Sequence, residues 1–462
     1  MLDNVEEFDL VIVGTGSGNA IPSPELDDWR IALVERDVFG GTCLNRGCIP
    51  SKILVHTADV AETVRHASRY GLGATLEQVA WPDIVERVFG RIDPIAAGGE
   101  RYRDKDCDNI TVLRGDARFI GDRVLEVGER RITGHQFILA AGARPYVPPI
   151  RGLADVPFHT SDTIMRIEAV PERMAVIGGG YIAAELGHVF GGLGAHVSFL
   201  LRGDRMLRNE DDDVSIRATE LYRDRFDVIT HTTGLEITHD GRNFEITGES
   251  DQGPVSLTVD TLLVAAGRHP NGDQLDVVAT GVHTQDSRVI TDDTLATNVE
   301  GIWALGDLTN DLQLKHLANL EAKIVFHNVQ HPDDRRTIDR SMVPHAVFGS
   351  PQIASVGHTE REARAQRIPH RVATKDYGST AYGWALEDDS GFVKLIAHAE
   401  DHRLIGAHVI GPQASTLIQP LVQAMRFGQT VGQLAHDVWY IHPALTEVIE
   451  NALIDLDAEL NG

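Results

Sequence analysis

Phe8-Asp-Leu-Val-Ile-Val13, running directly into Gly14-Thr15-Gly16-Ser17-Gly18-Asn19, is the stretch that decides the fold. The first part is apolar at nearly every position, the pattern of a strand buried on both faces of a parallel sheet. The second is a glycine-rich turn. A further apolar run, Ile31 to Val34, ends at Glu35. Strand, turn, helix and strand in about 30 residues is the length a βαβ unit needs. Such a turn lets backbone approach a pyrophosphate, and the helix after it offers free N–H groups and a positive end. Asn19 stands where a third glycine is usual, so close helix packing is strained there. Glu35 is placed to accept hydrogen bonds from an adenosine ribose.

The pattern recurs. Met174 to Ile177 reads as a strand, Gly178-Gly179-Gly180 as the turn, Tyr181 to Leu193 as a helix and His196 to Leu201 as the next strand. Ala183 takes the third glycine place, an accepted variant, and Glu185 follows. No acid ends the second strand. The chain reads Leu201-Arg202-Gly203-Asp204-Arg205-Met206-Leu207-Arg208 instead. An acid there would repel a 2′-phosphate, whereas Arg202 and Arg208 can hold one in charge-assisted forks, which predicts NADPH over NADH. Two dinucleotide sites imply a tightly held redox carrier and an exchanging hydride donor. FAD and NADPH fit.

A chain of 462 residues has room for three domains. Gln136 to Ala141 before Gly142, Thr261 to Ala266 before Gly267, and Ile302 to Leu305 before Gly306-Asp307 add strands to the two units. From Ser341 onward short strands, Phe392 to Ala397 and Leu404 to Ile410, alternate with helices, Gln413 to Phe427 and Leu445 to Leu456. The fold class is therefore α/β: two Rossmann-like nucleotide-binding domains and a C-terminal α+β domain. A net charge of −26 argues against a nucleic-acid partner, since phosphates recruit surplus Lys and Arg. It reads as a solvated surface, with adaptation to high salt the alternative. No apolar run approaches the ~18 residues a membrane span needs. Met1 to Phe8 is acidic and unlike a secretory signal, so a cytoplasmic protein is expected.

Three cysteines, Cys43, Cys48 and Cys107, are too few for a disulfide framework, and a cytosolic disulfide is more often catalytic. Cys43-Leu-Asn-Arg-Gly-Cys48 can close a small ring if the chain turns at Gly47. Ile49 to Arg65 has helical spacing, so Cys48 falls at a helix N-terminus, which favours its thiolate. Buried structural thiols are the alternative. A metal site is not expected, because no second Cys or His pair lies nearby. Cys107 reads as a surface or packing thiol. Thiol–disulfide exchange needs a proton donor for the leaving sulfur. Among 21 histidines His442 stands out, because Pro443 and Glu447 follow and the carboxylate can orient the imidazole.

Gly40-Gly41-Thr42-Cys43-Leu44-Asn45-Arg46-Gly47-Cys48-Ile49-Pro50-Ser51-Lys52 resembles the redox signature of the pyridine nucleotide–disulfide oxidoreductases, the class that holds glutathione reductase and dihydrolipoamide dehydrogenase. Ala141-Gly142, Ala266-Gly267-Arg268, Ala304-Leu305-Gly306-Asp307 and His442-Pro443-x-x-x-Glu447 extend the resemblance over essentially the whole chain. It implies an FAD domain of 1–147 and 272–340, an NADPH domain of 148–271 and a dimerisation domain of 341–462. FAD contacts are then expected from Gly14, Gly16, Ser17, Gly18, Glu35, Gly41, Thr42, Lys52, Ala141, Gly142, Gly306 and Asp307. NADPH contacts are expected from Gly178, Gly180, Tyr181, Ile182, Glu185, Arg202, Arg208 and Gly267. Lys52 and Glu185 would lie against the flavin, and Asp307 would bond its ribityl chain. Electrons would pass from NADPH through FAD to a Cys43–Cys48 disulfide. Cys43 would then attack a small-molecule disulfide, and Cys48, nearer the flavin, would resolve the mixed disulfide. In this family two chains share each active site, so His442 and Glu447 would serve the partner's cysteines in a homodimer.

Within that class, Gly14 to Asn19, Val88-Phe-Gly-Arg-Ile-Asp-Pro-Ile95, His159-Thr-Ser-Asp-Thr163, Asp376-Tyr-Gly378 and Ala381-Tyr-Gly-Trp-Ala385 resemble the mycothione reductases, the branch acting on the disulfide of mycothiol. Arg46 departs from the Val usual inside the cysteine loop, adding positive charge beside the thiols. A dihydrolipoamide dehydrogenase is the enzymatic alternative, opposed by Arg202. A flavin-binding redox sensor without turnover is the non-enzymatic one.

Overall fold

The computed structural model describes residues 5–462, so Met1 to Asn4 of the acidic N-terminal stretch lie outside it. The first unit is a sheet whose parallel strands run in the spatial order Ile110–Arg114, Ile31–Glu35, Val5–Val13, Arg130–Leu139 and Ile302–Ala304. Both faces are covered, which is why Leu10, Val11, Ile12, Leu33 and Ile138 are all buried. Val124–Val127 and Ala117–Gly121 add an antiparallel extension.

The helix expected after the first glycine turn is absent. Two single 3₁₀ turns, Gly18–Ala20 and Pro24–Leu26, replace it. Pro22 and Pro24 are the cause: each lacks an N–H for the helical ladder, and Ser23 before Pro24 is extended. The parallel register Leu10↔Ile31 forms nonetheless. Asn19 is then under no helix-packing strain. Its side-chain oxygen accepts from Arg103 Nε at 2.9 Å, and its carbonyl accepts from the same guanidinium.

Two consecutive helices carry the cysteine loop, α1 (Gly41–Arg46) and α2 (Cys48–Arg65), and α3 (Trp81–Lys105) packs beside them. Cys107, just past α3, packs half-buried against the first core. In the second unit the parallel order is Asp227–Ile229, His196–Leu200, Arg173–Ile177 and Thr261–Val264. Here the expected helix does follow the turn, as α4 (Tyr181–Gly192), and α5 (Asp212–Arg223) comes later. The chain crosses between the units twice, and the crossings Ala143–Pro145 and Arg268–Pro270 pair antiparallel. It then returns to the first unit through α6 (Lys315–Gln330). A five-stranded antiparallel sheet with its own core, backed by Ala414–Arg426 and Thr446–Asn461, forms the C-terminal domain. Among the described residues no helix is long and apolar enough to cross a membrane.

Packing of α2 against α4 sets the site. A Cβ on Gly192 would lie 2.9 Å from the Cβ of Ala58, so the helices approach closely where that glycine stands. His188 Nε2 and Asp59 meet at 2.8 Å along the same seam. Two turns earlier on α2, Lys52 faces Glu185 of α4.

Candidate active site

One cavity of about 2400 Å³ runs between the domains and reaches both glycine turns, both ring cysteines and the end of the second unit's strand. A single drug-sized ligand needs roughly 300–1,000 Å³, so there is room here for two dinucleotides. The two turns are built alike. Gly14 has φ +104° and Gly178 φ +130°, and at each a Cβ would strike a carbonyl of the adjoining strand end, Ala140 or Ala265. Of the expected cofactor residues all but Gly18 line the cavity. Gly18 is buried instead, where a Cβ would lie 2.9 Å from Ile12 and 3.1 Å from Ala140. It packs the turn onto the sheet rather than facing a ligand.

The residues fit a flavin dinucleotide at the first turn. Gly142 faces open cavity, with nothing near where a side chain would stand. Glu35 is buried at the cavity wall. Its Oε2 accepts from Thr15 N at 3.0 Å and Thr15 Oγ1 at 2.6 Å, and its Oε1 accepts from Asp37 N at 2.9 Å. Thr15 Oγ1 in turn accepts from Gly40 N at 3.0 Å, tying the turn to the cysteine loop. Asp307 sits 3.9 Å from Arg268 Nε across the two units, and burial pushes its carboxyl above the usual range against the pull of Arg268 and Lys315. At the second site Gly180 and Gly267 also face open cavity. Arg202 and Arg208 line it, exposed, and make no ion pair or hydrogen bond among the described residues, whereas Arg205 between them is engaged by Asp212 at 2.8 Å.

The sulfur centre is more sharply defined. Gly47 separates α1 from α2, and a Cβ there would come within 2.9 Å of Thr42 O and 3.3 Å of Cys43 Cα. Only glycine lets the two helices meet closely enough for the thiols to interact. Asn45 holds the loop from within, donating to Phe39 O at 2.9 Å and Gly41 O at 3.0 Å. Both thiols are free, and they share a hydrogen bond. That bond from Cys43 is the largest influence on Cys48, whose pKa falls to about 7. Burial opposes it, while Lys52 and the backbone N–H at the start of α2 assist. Cys43 moves the other way, well above the thiol range, because its proton is held toward Cys48, it is buried and it is repelled by the neighbouring sulfur. The pair is thereby biased toward a thiolate at Cys48 and a retained proton on Cys43.

Lys52 Nζ lies 2.6 Å from Glu185 Oε2, and Glu185 Oε1 accepts from Phe348 N at 3.0 Å, so one carboxylate joins all three domains beside Cys48. Tyr181, whose hydroxyl burial pushes up to about 12, lies in reach of Arg268, Asp307 and Cys48. Arg46 lines the cavity with the thiols, as expected, but two acids face it. Its guanidinium is held by Asp37 at 2.6 Å and faces Asp162 of the second unit at 3.9 Å. Asp37 is held below the usual range: partial burial opposes, and the Arg46 hydrogen bond, the Val38 N–H and the charges of Arg46 and Arg36 together outweigh it.

His442 and Glu447 come together, Nδ1 to Oε1 at 2.7 Å, but away from the cavity. The His442 side chain is 71% exposed, and Trp439 nearby is 97% exposed. One chain thus holds an oriented imidazole with nothing of its own to serve. Reading the sequence missed Thr15, Asp162 and Lys315. The signal for Lys315 was a lysine opening a helix where an acid is usual.

Residues 8–322 match the pyridine nucleotide-disulphide oxidoreductase family, and residues 343–453 match the dimerisation domain of the same family. The chain belongs to that family. Mycothione reductase of Mycobacterium tuberculosis (strain H37Rv) is 45% identical, over 98% of this chain and 100% of the relative. Dihydrolipoyl dehydrogenase of Chlamydia trachomatis is 31% identical over 99% and 98%, and mercuric reductase of Staphylococcus aureus 30% over 98% and 83%. Among solved structures, the HOCl-induced flavoprotein disulfide reductase RclA from Escherichia coli superposes with a TM-score of 0.84 at 27% identity, covering 96% of this chain and 99% of that one. The chain is an oxidoreductase of this class, and its C-terminal domain is a dimerisation domain.

Proposed function

We propose that the protein is an NADPH-dependent, FAD-containing reductase of mycothiol disulfide, acting as a homodimer with each active site completed by the partner chain. The domain division 1–147 with 272–340, 148–271 and 341–462 belongs to this reading. What supports it is the Cys43–Cys48 pair, brought together by the close turn at Gly47 and opening on the cavity that both glycine turns share, with Cys48 biased toward thiolate. A flavin bound at the first turn would supply two-electron transfer between nicotinamide and sulfur.

The rest follows from the chain's own groups. Cys43 keeps a proton, so its attack on a substrate disulfide needs a base. A partner's His442, oriented through Nδ1 by Glu447, has Nε2 available for that proton. Cys43 sulfur bonds to one substrate sulfur, the substrate S–S bond breaks, and the proton held on His442 passes to the departing thiolate. Cys48, already a thiolate, then attacks Cys43, forming the Cys43–Cys48 bond and releasing the second product thiolate. Lys52 stabilises the Cys48 charge at the start and is itself held by Glu185. The unpaired Arg202 and Arg208 support NADPH, and the 45% identity over full length to mycothione reductases supports mycothiol disulfide as substrate. The test is steady-state oxidation of NADPH and of NADH with mycothiol disulfide, glutathione disulfide and lipoamide in parallel. Turnover is expected with NADPH and mycothiol disulfide. Turnover confined to NADH and lipoamide would sink both assignments.

A further inference from the structure

Leu207 is a bulky, buried residue in the left-handed region, at φ +52°. Such a conformation costs about 1–3 kcal/mol in a residue with a side chain and persists only where the surroundings fix it. Its N–H donates to Gly179 O of the second glycine turn at 2.6 Å. Arg208 and Asn209 then stand exposed at the cavity, and Glu210 is buried again, its N–H donating to Leu207 O at 2.9 Å. The arginine rides on a two-residue arc pinned at both ends. The second pin comes from another domain. Glu210 lies two residues from a side chain read as a phosphate contact, where an acid repels the ligand and, being buried, needs a partner of its own. Its Oε1 meets His345 Nε2 at 2.7 Å and its Oε2 accepts from Ser355 Oγ at 2.7 Å, both on the C-terminal sheet. Asp211 beside it accepts from Glu360 N at 2.9 Å and Lys394 Nζ at 2.8 Å, so two successive carboxylates fasten the end of the arc to the C-terminal domain.

We infer that Glu210 is a positioning residue for nucleotide selectivity: bonded to His345 and Ser355, it holds the arc from Leu207 so that Arg208 meets the 2′-phosphate, and the C-terminal domain thereby helps set which nicotinamide dinucleotide the second unit prefers. The inference rests on the reading that Arg202 and Arg208 take that phosphate. NADH has no such phosphate and gains nothing from the placement of Arg208, so its use does not depend on the arc. A role confined to fastening the domains would affect both nucleotides alike, because both use the same cavity.

The flavin-loaded dimer is prepared as wild type, Glu210→Ala, Glu210→Gln and Ser355→Ala, the last removing one anchor from the C-terminal side. KM and kcat are measured with NADPH and with NADH, and adenosine 2′,5′-bisphosphate is compared with AMP as a competitive inhibitor. Glu210→Ala should raise the KM for NADPH and the inhibition constant of the bisphosphate about tenfold, the worth of one charge-assisted contact, with NADH and AMP changed by less than about twofold and kcat unaltered. Glu210→Gln, which keeps an acceptor for Ser355, should retain part of the preference, and Ser355→Ala should shift it in the same direction as Glu210→Ala by less. An equal rise for both nucleotides, or an unchanged preference in Glu210→Ala, overturns the inference. Should that variant fail to fold, an unchanged preference in Ser355→Ala does so. A wild type that favours neither NADPH over NADH nor the bisphosphate over AMP overturns the reading beneath it instead.

Discussion

Gly47→Ala tests whether the backbone, rather than the sulfurs alone, sets the redox balance of the centre. The added Cβ would meet Thr42 O at 2.9 Å and Cys43 Cα at 3.3 Å, both backbone atoms that cannot swing aside. Asn45 fastens α1 to Phe39 and Gly41, so α1 cannot simply slide. Overpacking of this kind costs about 1–3 kcal/mol. With free thiols the strain can relax by parting the two helices. In a disulfide the Cβ atoms must stay within about 3.5–4.5 Å, so the strain is retained there. The differential falls on the oxidised form and makes it easier to reduce. At 30 mV per 1.4 kcal/mol the midpoint should rise by roughly 20–60 mV. The assay is equilibration in graded dithiol/disulfide buffers, acid quench, alkylation and thiol counting by mass. An unchanged midpoint in a folded, flavin-loaded variant would show that the α1–α2 contact does not govern the pair.

Three further outcomes follow from the same geometry. The thiolate absorbance of the reduced enzyme should titrate near pH 7 for one sulfur only. Because the folded pKa of Cys48 is depressed from 9.0, the stability it contributes is present above pH 9 and lost as pH falls through about 7, so the Tm of reduced enzyme should rise between those values; a flat profile would contradict the split protonation. Arg202→Ala with Arg208→Ala should raise the KM for NADPH at least tenfold while leaving that for NADH nearly unchanged, and equal changes for both would remove them from 2′-phosphate recognition. Arg46→Val should leave the Cys48 titration where it is, since Asp37 and Asp162 neutralise the arginine, and a shift of a full unit would show that its charge does reach the sulfurs.

What could be read in advance tracks how local the determining physics is. The second glycine unit was legible in full because its turn, helix and strand are specified by residues within one βαβ segment, and α4 begins at Tyr181 as expected. The first unit was misread between its strands: the glycine pattern was weighed and Pro22 and Pro24 were not, and they leave only 3₁₀ turns. Arg46 could be seen as a departure, but its neutralisation depends on Asp162, which arrives from another domain. The Cys43–Cys48 pairing was legible from spacing. So was the bias of Cys48 toward thiolate, from its place at a helix N-terminus; the shares of Lys52, of burial and of the neighbouring Cys43 were not, since they depend on packing. His442 and Glu447 were legible as a pair but not as a site, because nothing in one chain stands opposite them.

The seams between domains also bear on how the hydride donor meets the sulfurs. Lys394 of the C-terminal sheet is 2% exposed and meets Asp211 at 2.8 Å, Asp213 at 2.6 Å and Glu360 at 2.7 Å, with the two aspartates belonging to the start of α5 in the second unit. Beside it Glu210 takes His345 at 2.7 Å and Ser355 at 2.7 Å, and although burial opposes it, those bonds hold its carboxyl below the usual range. Separating these groups would strand charges in a dry seam, at a cost of about 3–5 kcal/mol for one such partner lost. Glu185 adds a second tie from the second unit to both other domains. A nucleotide-binding domain anchored at both places is held against the sulfur centre rather than hinged away from it.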